Sequence, residues 1–370
     1  MKIVLNNKTI KGIAVGGMKV LSFILLTFSC FAQIKNITTI KGNKILVKDL
    51  DKFIISQLDS LKVPAISLAI INKGRLVHYK NYGVKNLDTK EAVNQKTIFE
   101  LCSVSKPVFA YFALKQAEKG ILDLDKPLYE YYIDPKIDTA HGFYKLITAR
   151  MVLNHCSGFP NWRENEDFKN TLFFKNKPGM TYGYSGEGYQ YLARVLGKIL
   201  NKSDVELNDY FQEEVVKPLK VKSMNFTWDN KLRPFKAYSH RKGKPTDNGS
   251  QGPPDWFGSA GSLHSNAGDY ALFLLSLMNK NTPINHQLIK LNTDLPKEPD
   301  GLFRSFGFPY KMADGKVRYY HSGNNSDAQS YCHFYKEEKM GLVMFVNSDN
   351  FFKSGLAQKV LVFLEEEFTY

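Results

Sequence analysis

Residues 101–110 read LCSVSKPVFA, with Ser103 three positions ahead of Lys106. On a helix, a hydroxyl and an amine at i and i+3 sit on one face, a turn apart. The amine could then take the serine proton and convert the hydroxyl into a nucleophile. A free lysine, with a pKa near 10.4, cannot do this; burial and a neighbouring positive group must lower it first. The same spacing recurs at Ser239 and Lys242, in AYSHRKGKPTDNGSQGPPDW, a stretch in which no helix would hold the pair rigidly. Ser103 has better surroundings. Strand-like TIFELCS gives way to the helical SKPVFAYFALKQAEKG, Pro107 falls in the tolerated first turn, and exposed amides there favour negative charge on the serine oxygen.

Two further stretches carry chemistry. In KPGMTYGYSGEGYQYL, Tyr184-Ser185-Gly186 lies in a glycine-rich loop just before a helix, a way to present a phenol to a cleft. In YYHSGNNSDAQS, His321-Ser322-Gly323 ends a strand, and Gly323 lets the backbone approach a ligand closely. Alone, the tyrosine also fits a core position, and the histidine also fits a strand-end turn.

Taken together and in order, Ser103-Val-Ser-Lys106, Tyr184-Ser-Gly186 and His321-Ser-Gly323 resemble the SxxK, YxN and K/H-x-G elements of penicillin-recognising serine hydrolases. These include class C β-lactamases, D-Ala-D-Ala carboxypeptidases and related esterases. The separations of 81 and 137 residues suit that family. MVLNHCSGFPNW resembles its LLxHTSGLP segment, and FGSAGSLHSNAGDYALFLL its GGLxST-containing helix. The resemblance extends over about residues 45–368. It implies Ser103 as acylated nucleophile, Lys106 as proton acceptor and Tyr184 as partner in proton return. The backbone N–H groups of Ser103 and Asn324, beyond Gly323, would form an oxyanion hole. His321 would line the opposite wall. Two positions depart from the family pattern: Gly186 stands where an acylamide-binding Asn is usual, and His321 replaces the lysine of true β-lactamases. Glu187 offers a substitute polar contact or a helix N-terminal acid.

The elements that must position these residues come from both ends of the chain. Residues 44–61 place Leu46, Leu50, Phe53, Ile54, Leu58 and Leu61 at helical spacing, ended by Pro64. AISLAII and RLVHYKNYG read as a hairpin turning at Asn72-Lys73-Gly74. Near the other end, FGFPYKMA, KVRYYHSG, AQSYCHFYK and GLVMFVNS read as strands, followed by the amphipathic FKSGLAQKVLVFLEEEF. Between them helices dominate over about residues 104–300: GEGYQYLARVLGKILNK, DVELNDYFQEEVVKPL and SNAGDYALFLLSLMN, besides the helix after Ser103. The expected fold is α/β (α+β), β-lactamase/transpeptidase-like: an antiparallel sheet flanked by helices from both chain ends, with an inserted, mainly helical lobe. A cleft between the two is where a small-molecule site belongs.

The chain has 370 residues, 43% of them hydrophobic, enough for a sizeable core. Residues 18–32, MKVLSFILLTFSCFA, combine a lysine, a short apolar run and a closing Ala32, as in a secretory signal. This makes residues 1–32 a signal peptide, from a start at Met1 or Met18, and residues 33–370 the hydrolase domain. An alternative reads Thr27–Cys30 as a lipoprotein signal, with Cys30 lipidated; only then is a membrane contact expected. Export would be to the periplasm or the envelope surface. The net charge of +14 falls to +10 without the signal, but lysines are scattered beside acids, as in KEEKMG, and no nucleic-acid motif appears. Cys102, Cys156 and Cys332 have unrelated spacings, and Cys102 reads as a small buried residue. Neither HExxH nor a Cys/His cluster is present, so no metal or other cofactor is expected. The resulting expectation is an exported serine hydrolase acting through an acyl-enzyme on a small ester or a D-amino-acid peptide or amide, peptidoglycan-derived peptides among them. A class C-type β-lactamase and a non-catalytic peptidoglycan- or partner-binding protein of the same fold are the alternatives.

Overall fold

The computed structural model describes residues 36–163, 171–228, 231–246, 255–291 and 303–367. The signal assigned to residues 1–32, with Cys30 and Ala32, lies outside the described residues. In chain order the elements are β1 (Asn36–Thr38), β2 (Lys44–Leu46), α1 (Val47–Leu61), β3 (Ala65–Asn72), β4 (Arg75–Gly83) and β5 (Phe99–Glu100). Then come α2 (Ser105–Glu118), α3 (Ala149–Leu153), α4 (Gly186–Leu200), α5 (Asp204–Phe211) and α6 (Lys217–Leu219). The small hairpin β6 (His240–Arg241) and β7 (Lys244–Pro245) precedes β8 (His264–Ser265), α7 (Ala267–Asn279) and α8 (Pro283–Leu288). The chain closes with β9 (Phe303–Arg304), β10 (Pro309–Ala313), β11 (Lys316–Asn324), β12 (Gln329–Tyr335), β13 (Met340–Val346) and α9 (Leu356–Phe363).

Seven of the strands form one antiparallel sheet in the order β4-β3-β13-β12-β11-β10-β9, so the N-terminal hairpin joins the C-terminal meander along β3 and β13. The strand period of two explains how β3 can be wholly buried. Ile66, Leu68 and Ile70 face a cluster with Leu50, Ile54 and Leu58 of α1 and Leu356, Val360 and Leu361 of α9. Ala65, Ala69 and Ile71 face the larger cluster, which contains the helices of the middle of the chain. In α1 the residues at i, i+4 and i+8 are the buried ones, as the sequence spacing requires.

The larger cluster is what fixes α2. Phe109 and Phe112 pack edge-on or tilted against Phe211, Phe226, Phe257 and Tyr189, with centroids 5.7 to 6.4 Å apart. Aromatic packing of this kind contributes roughly 0.5–1.5 kcal/mol per pair beyond burial. The helix carrying Lys106 is therefore anchored through its middle, and the turn that precedes it, residues 102–104, lies against the end of β11.

Three element boundaries differ from the sequence expectation. Phe306 and Gly307 belong to a turn in which Ser305 N–H donates to the Phe308 carbonyl at 2.8 Å, so the strand starts only at Pro309. The last helix starts after Gly355, whose φ of +74° breaks the amphipathic pattern, and ends at Phe363. The helix expected over 204–219 widens to a π-turn over 212–216 before α6. Pro218 has no amide hydrogen to offer the preceding turn, which accounts for the widening.

Candidate active site

Ser103 lies in a tight 3-10 turn, Cys102–Val104, between β5 and α2. Cys102 adopts φ +52°, a left-handed conformation that a non-glycine residue avoids. Surrounding bonds hold it there. Leu101 N–H donates to the Leu263 carbonyl at 2.8 Å, and Ser330 Oγ–H donates to the Leu101 carbonyl at 2.6 Å. Ser105 Oγ–H donates to the Cys102 carbonyl at 2.5 Å and accepts from Leu263 N–H at 3.0 Å. The Cys102 side chain turns inward, fully buried, with its thiol 3.2 Å from the Ala328 carbonyl. Burial pushes that thiol well above its ordinary pKa, as a small core residue requires. Ser103 is left half-exposed beside it.

Lys106 is 1% exposed, and its Nζ lies 3.2 Å from Ser103 Oγ and 2.8 Å from the carbonyl oxygen of Ala260. The Ala260 carbonyl is supplied by the FGSAGS loop ahead of β8. Desolvation lowers the lysine pKa, the positive charge of Arg304 lowers it further, and Tyr184 opposes both. The side chain sits over the Tyr184 ring, 4.7 Å from its centroid, and 5.8 Å from that of Tyr189. An amine so placed can exchange a proton with the serine hydroxyl.

Tyr184 is delivered by the loop before α4. Ser185 caps that helix by accepting from Gly188 N–H at 2.9 Å. Ser185 N–H in turn donates to His155 Nδ1 at 3.1 Å, so His155 carries its hydrogen on Nε2. The imidazole of His155 stacks between Tyr184 and Tyr189, with centroids 4.4 and 5.1 Å away, and burial keeps it neutral. The Tyr184 hydroxyl is buried and makes no well-formed hydrogen bond among the described residues, though it favours the charged form of the Lys106 amine. It is therefore a polar group left for a ligand, a water or a proton relay.

His321 lies across from Tyr184, with ring centroids 6.5 Å apart. Its Nδ1–H donates to the Ser322 carbonyl at 2.7 Å, since a carbonyl can only accept. Nε2 is consequently the acceptor nitrogen. Desolvation first, then the charges of Arg304 and Lys106, push its pKa down to about 3. At neutral pH it carries no charge. Gly323 passes so close to the nucleophile turn that a β-carbon on it would lie 2.8 Å from Ser103 N, 2.7 Å from Cys102 Cβ and 2.3 Å from Ser330 Oγ. The approach brings the strand end carrying Asn324 alongside the Ser103 amide. The Asn324 side chain itself faces solvent and accepts from Ser326 N–H at 2.9 Å.

Ser103, Lys106, Tyr184, His321, Gly323 and Asn324 thus converge from the nucleophile turn, α2, the loop before α4 and β11. Gly186 is explained by packing: a β-carbon there would meet the Trp162 indole at 2.6 Å. Glu187 is not a substitute polar contact. It is buried in a bidentate pair with Arg163, both bonds 2.8 Å. The rival Ser239/Lys242 pair is separated in kind, with Ser239 buried and Lys242 exposed in the β6–β7 turn at φ +52°. Cys102, Cys156 and Cys332 are free and buried.

Arg304, Ala260 and the His155 packed between the two tyrosines were not individually foreseen. Arg304, on the edge strand β9, places its guanidinium carbon 5.0 Å from the Tyr182 ring and 5.6 Å from that of Tyr184. No local motif marks an arginine on a two-residue strand. His155 could have been found, since it is the histidine of the MVLNHCSGFPNW segment.

The Beta-lactamase family model matches residues 50–366. Among curated proteins, the chain is similar to Protein flp of Staphylococcus aureus (strain MW2), 25% identical over 197 residues. It is also similar to Penicillin-binding protein 4* of Bacillus subtilis (strain 168), 28% identical over 164 residues. These matches take in 50% and 39% of this chain, and 39% and 34% of the relatives' own lengths. Among solved structures, an octameric penicillin-binding protein homologue from Pyrococcus abyssi superposes with a TM-score of 0.66 at 21% identity. That superposition covers 85% of this chain and 77% of the other, and shows the shared fold. Since the family match runs through nearly the whole described chain, the protein belongs to the beta-lactamase family, which consists of serine hydrolases.

Proposed function

We propose that this protein is an exported serine hydrolase that forms an acyl-enzyme on Ser103, with small esters or D-amino-acid peptides and amides as its substrates. The observation that carries the reading is the buried Lys106 amine, 3.2 Å from Ser103 Oγ, with its pKa lowered by desolvation. Once neutral, Lys106 accepts the Ser103 proton as Oγ attacks the substrate carbonyl. The Ser103 and Asn324 N–H groups stabilise the resulting oxyanion; one such donor is typically worth about 10²–10³ in rate. Collapse expels the alcohol or amine, which takes its proton through Tyr184. Water then releases the acid by the reverse route. Export rests on the residue 18–32 pattern, with Gln33 as the mature N-terminus or a lipidated Cys30 as the alternative.

Two features bear on the substrate. His321 is neutral, so it presents an acceptor nitrogen and not a cation to the substrate. The positive charge beside the site belongs to Arg304, over Tyr184, which supports a D-amino-acid peptide with a free carboxylate as well as a neutral ester. Gly186 offers no amide to a β-lactam side chain. The test is a panel of p-nitrophenyl esters, D-Ala-D-Ala peptides, D-amino-acid amides and nitrocefin, each run beside Ser103→Ala. Turnover of an ester or D-peptide that Ser103→Ala abolishes supports the reading. Efficient nitrocefin hydrolysis exceeding ester turnover overturns the substrate class, and no turnover of any of them favours the non-catalytic alternative.

A further inference from the structure

Behind the nucleophile turn lies a buried polar cluster that the reaction above does not use. Glu100, the last residue of β5 and three before Ser103, is 3% exposed. Its Oε1 accepts a hydrogen bond from Asn325 Nδ2, in the turn directly after the oxyanion residue Asn324. The same amide nitrogen donates to the Gly261 carbonyl at 3.2 Å. Gly261 adjoins Ala260, whose own carbonyl holds Lys106 Nζ. One side-chain amide, borne next to the second oxyanion N–H, therefore ties that segment to the Glu100 side chain ahead of Ser103 and to the backbone of the loop that anchors Lys106.

The Glu100 carboxyl that accepts from this amide lies among buried charged groups. Burial raises the Glu100 pKa, and the buried Lys236 ammonium opposes that rise, while Asp327 adds to it. Lys236 reaches the cluster because residue 236 bridges Ile98, two residues upstream of Glu100. Asn325 is further fixed by its own backbone, which donates to the Ala328 carbonyl at 3.1 Å. At Gly261 a β-carbon would lie 3.5 Å from Asn325 Oδ1, so the amide is packed against that loop as well as bonded to it.

We infer that Asn325 and Glu100 are positioning residues of the hydrolase: through the Asn325 amide they hold the Asn324 N–H and the Lys106-binding loop in register with Ser103. The inference rests on the serine hydrolase reading of the site. Neither residue touches the reacting atoms. Both act by fixing where the second oxyanion donor points, and a misplacement of about 1 Å in such a donor can cost on the order of 10²-fold.

The experiment measures ester turnover and inhibition by an arylboronic acid, whose boron accepts Ser103 Oγ to give a tetrahedral anion. Wild type, Asn325→Ala, Glu100→Ala, the double variant and Glu100→Gln are compared. Asn325→Ala should lower kcat by about 10- to 100-fold with KM changed little, and weaken the boronic acid in proportion to kcat/KM. The double variant should be no worse than either alanine variant, because the pair acts as one unit. Glu100→Gln, which keeps an acceptor, should recover most of what Glu100→Ala loses. A merely structural role would lower the melting temperature without moving boronic acid affinity in step with kcat/KM. Should Asn325→Ala fail to fold, the Glu100→Ala and Glu100→Gln comparison decides alone. Full wild-type kcat and boronic acid affinity in the folded alanine variants overturn the inference. A wild type that neither hydrolyses ester nor binds boronic acid overturns the functional reading itself, and the inference with it.

Discussion

Gly323 and Ser103 approach each other so closely that a β-carbon on the glycine would sit 2.8 Å from the serine amide nitrogen. This contact sets the distance between β11 and the nucleophile turn, and hence the width of the proposed oxyanion hole. Gly323→Ala must push the two apart. We predict a loss of at least about 10²-fold in kcat, comparable with removing an oxyanion donor. Steady-state kinetics on a p-nitrophenyl ester checks it, and wild-type kcat in the alanine variant would show that the strand end does not form the hole.

The Ser103–Lys106 pair should behave as a unit. Ser103→Ala and Lys106→Ala are each expected to lower kcat by at least about 10³-fold, and the double variant to be little worse than either. Ser239→Ala should retain turnover, since Lys242 is exposed in a turn and cannot serve it. Equal damage from Ser239→Ala would point to the wrong serine.

The neutral His321 has a consequence for stability. Its folded pKa, pushed down to about 3, lies below the ordinary value of 6.5. Below pH 6.5 the unfolded chain therefore binds a proton that the folded chain refuses. Its contribution is intact above about pH 6.5 and is lost progressively as pH falls from there towards about 3. The slope is about 1.4 kcal/mol per pH unit for one such group. Urea unfolding from pH 6 to pH 4 should show His321→Gln losing stability less steeply than wild type by about this amount. Identical slopes would mean that His321 is protonated in the folded protein. By the same token, no kinetic pKa near 6.5 should arise from this residue.

Restoring the family's asparagine will not by itself restore penicillin recognition. The indole of Trp162 occupies the space a side chain at 186 would need, 2.6 Å from its β-carbon. We predict that Gly186→Asn leaves benzylpenicillin turnover unimproved, and that Gly186→Asn with Trp162→Ala and His321→Lys raises it relative to esters. Improvement from Gly186→Asn alone would show that the indole yields freely.

What could be read from the sequence were groups whose neighbours are close along the chain or repeat at an element's own period. Ser103 and Lys106 are three residues apart on one helix face, and Tyr184 and Gly323 are marked by the glycine loop and strand end that carry them. The sheet was legible as short runs rich in apolar and aromatic residues, bounded by turn residues, in β3 and in the strands from β10 to β13. Arg304, the Ala260 carbonyl and the Glu100–Asn325 bond were not, because each is made across the fold. Lys106 meets Ala260 over 154 residues, and Asn325 meets Glu100 over 225. Gly186 was legible as a departure but not in its cause, since nothing in the chain places Trp162 over it.

The central claim is that Ser103 is the acylated residue, activated by Lys106. Treating the folded protein with an alkyl fluorophosphonate, digesting it and sequencing the modified peptide by mass spectrometry tests this directly. The account predicts one adduct per chain, on Ser103, formed far more slowly in a folded Lys106→Ala variant. An adduct on another serine, or labelling of Ser103 at an undiminished rate without Lys106, would contradict it.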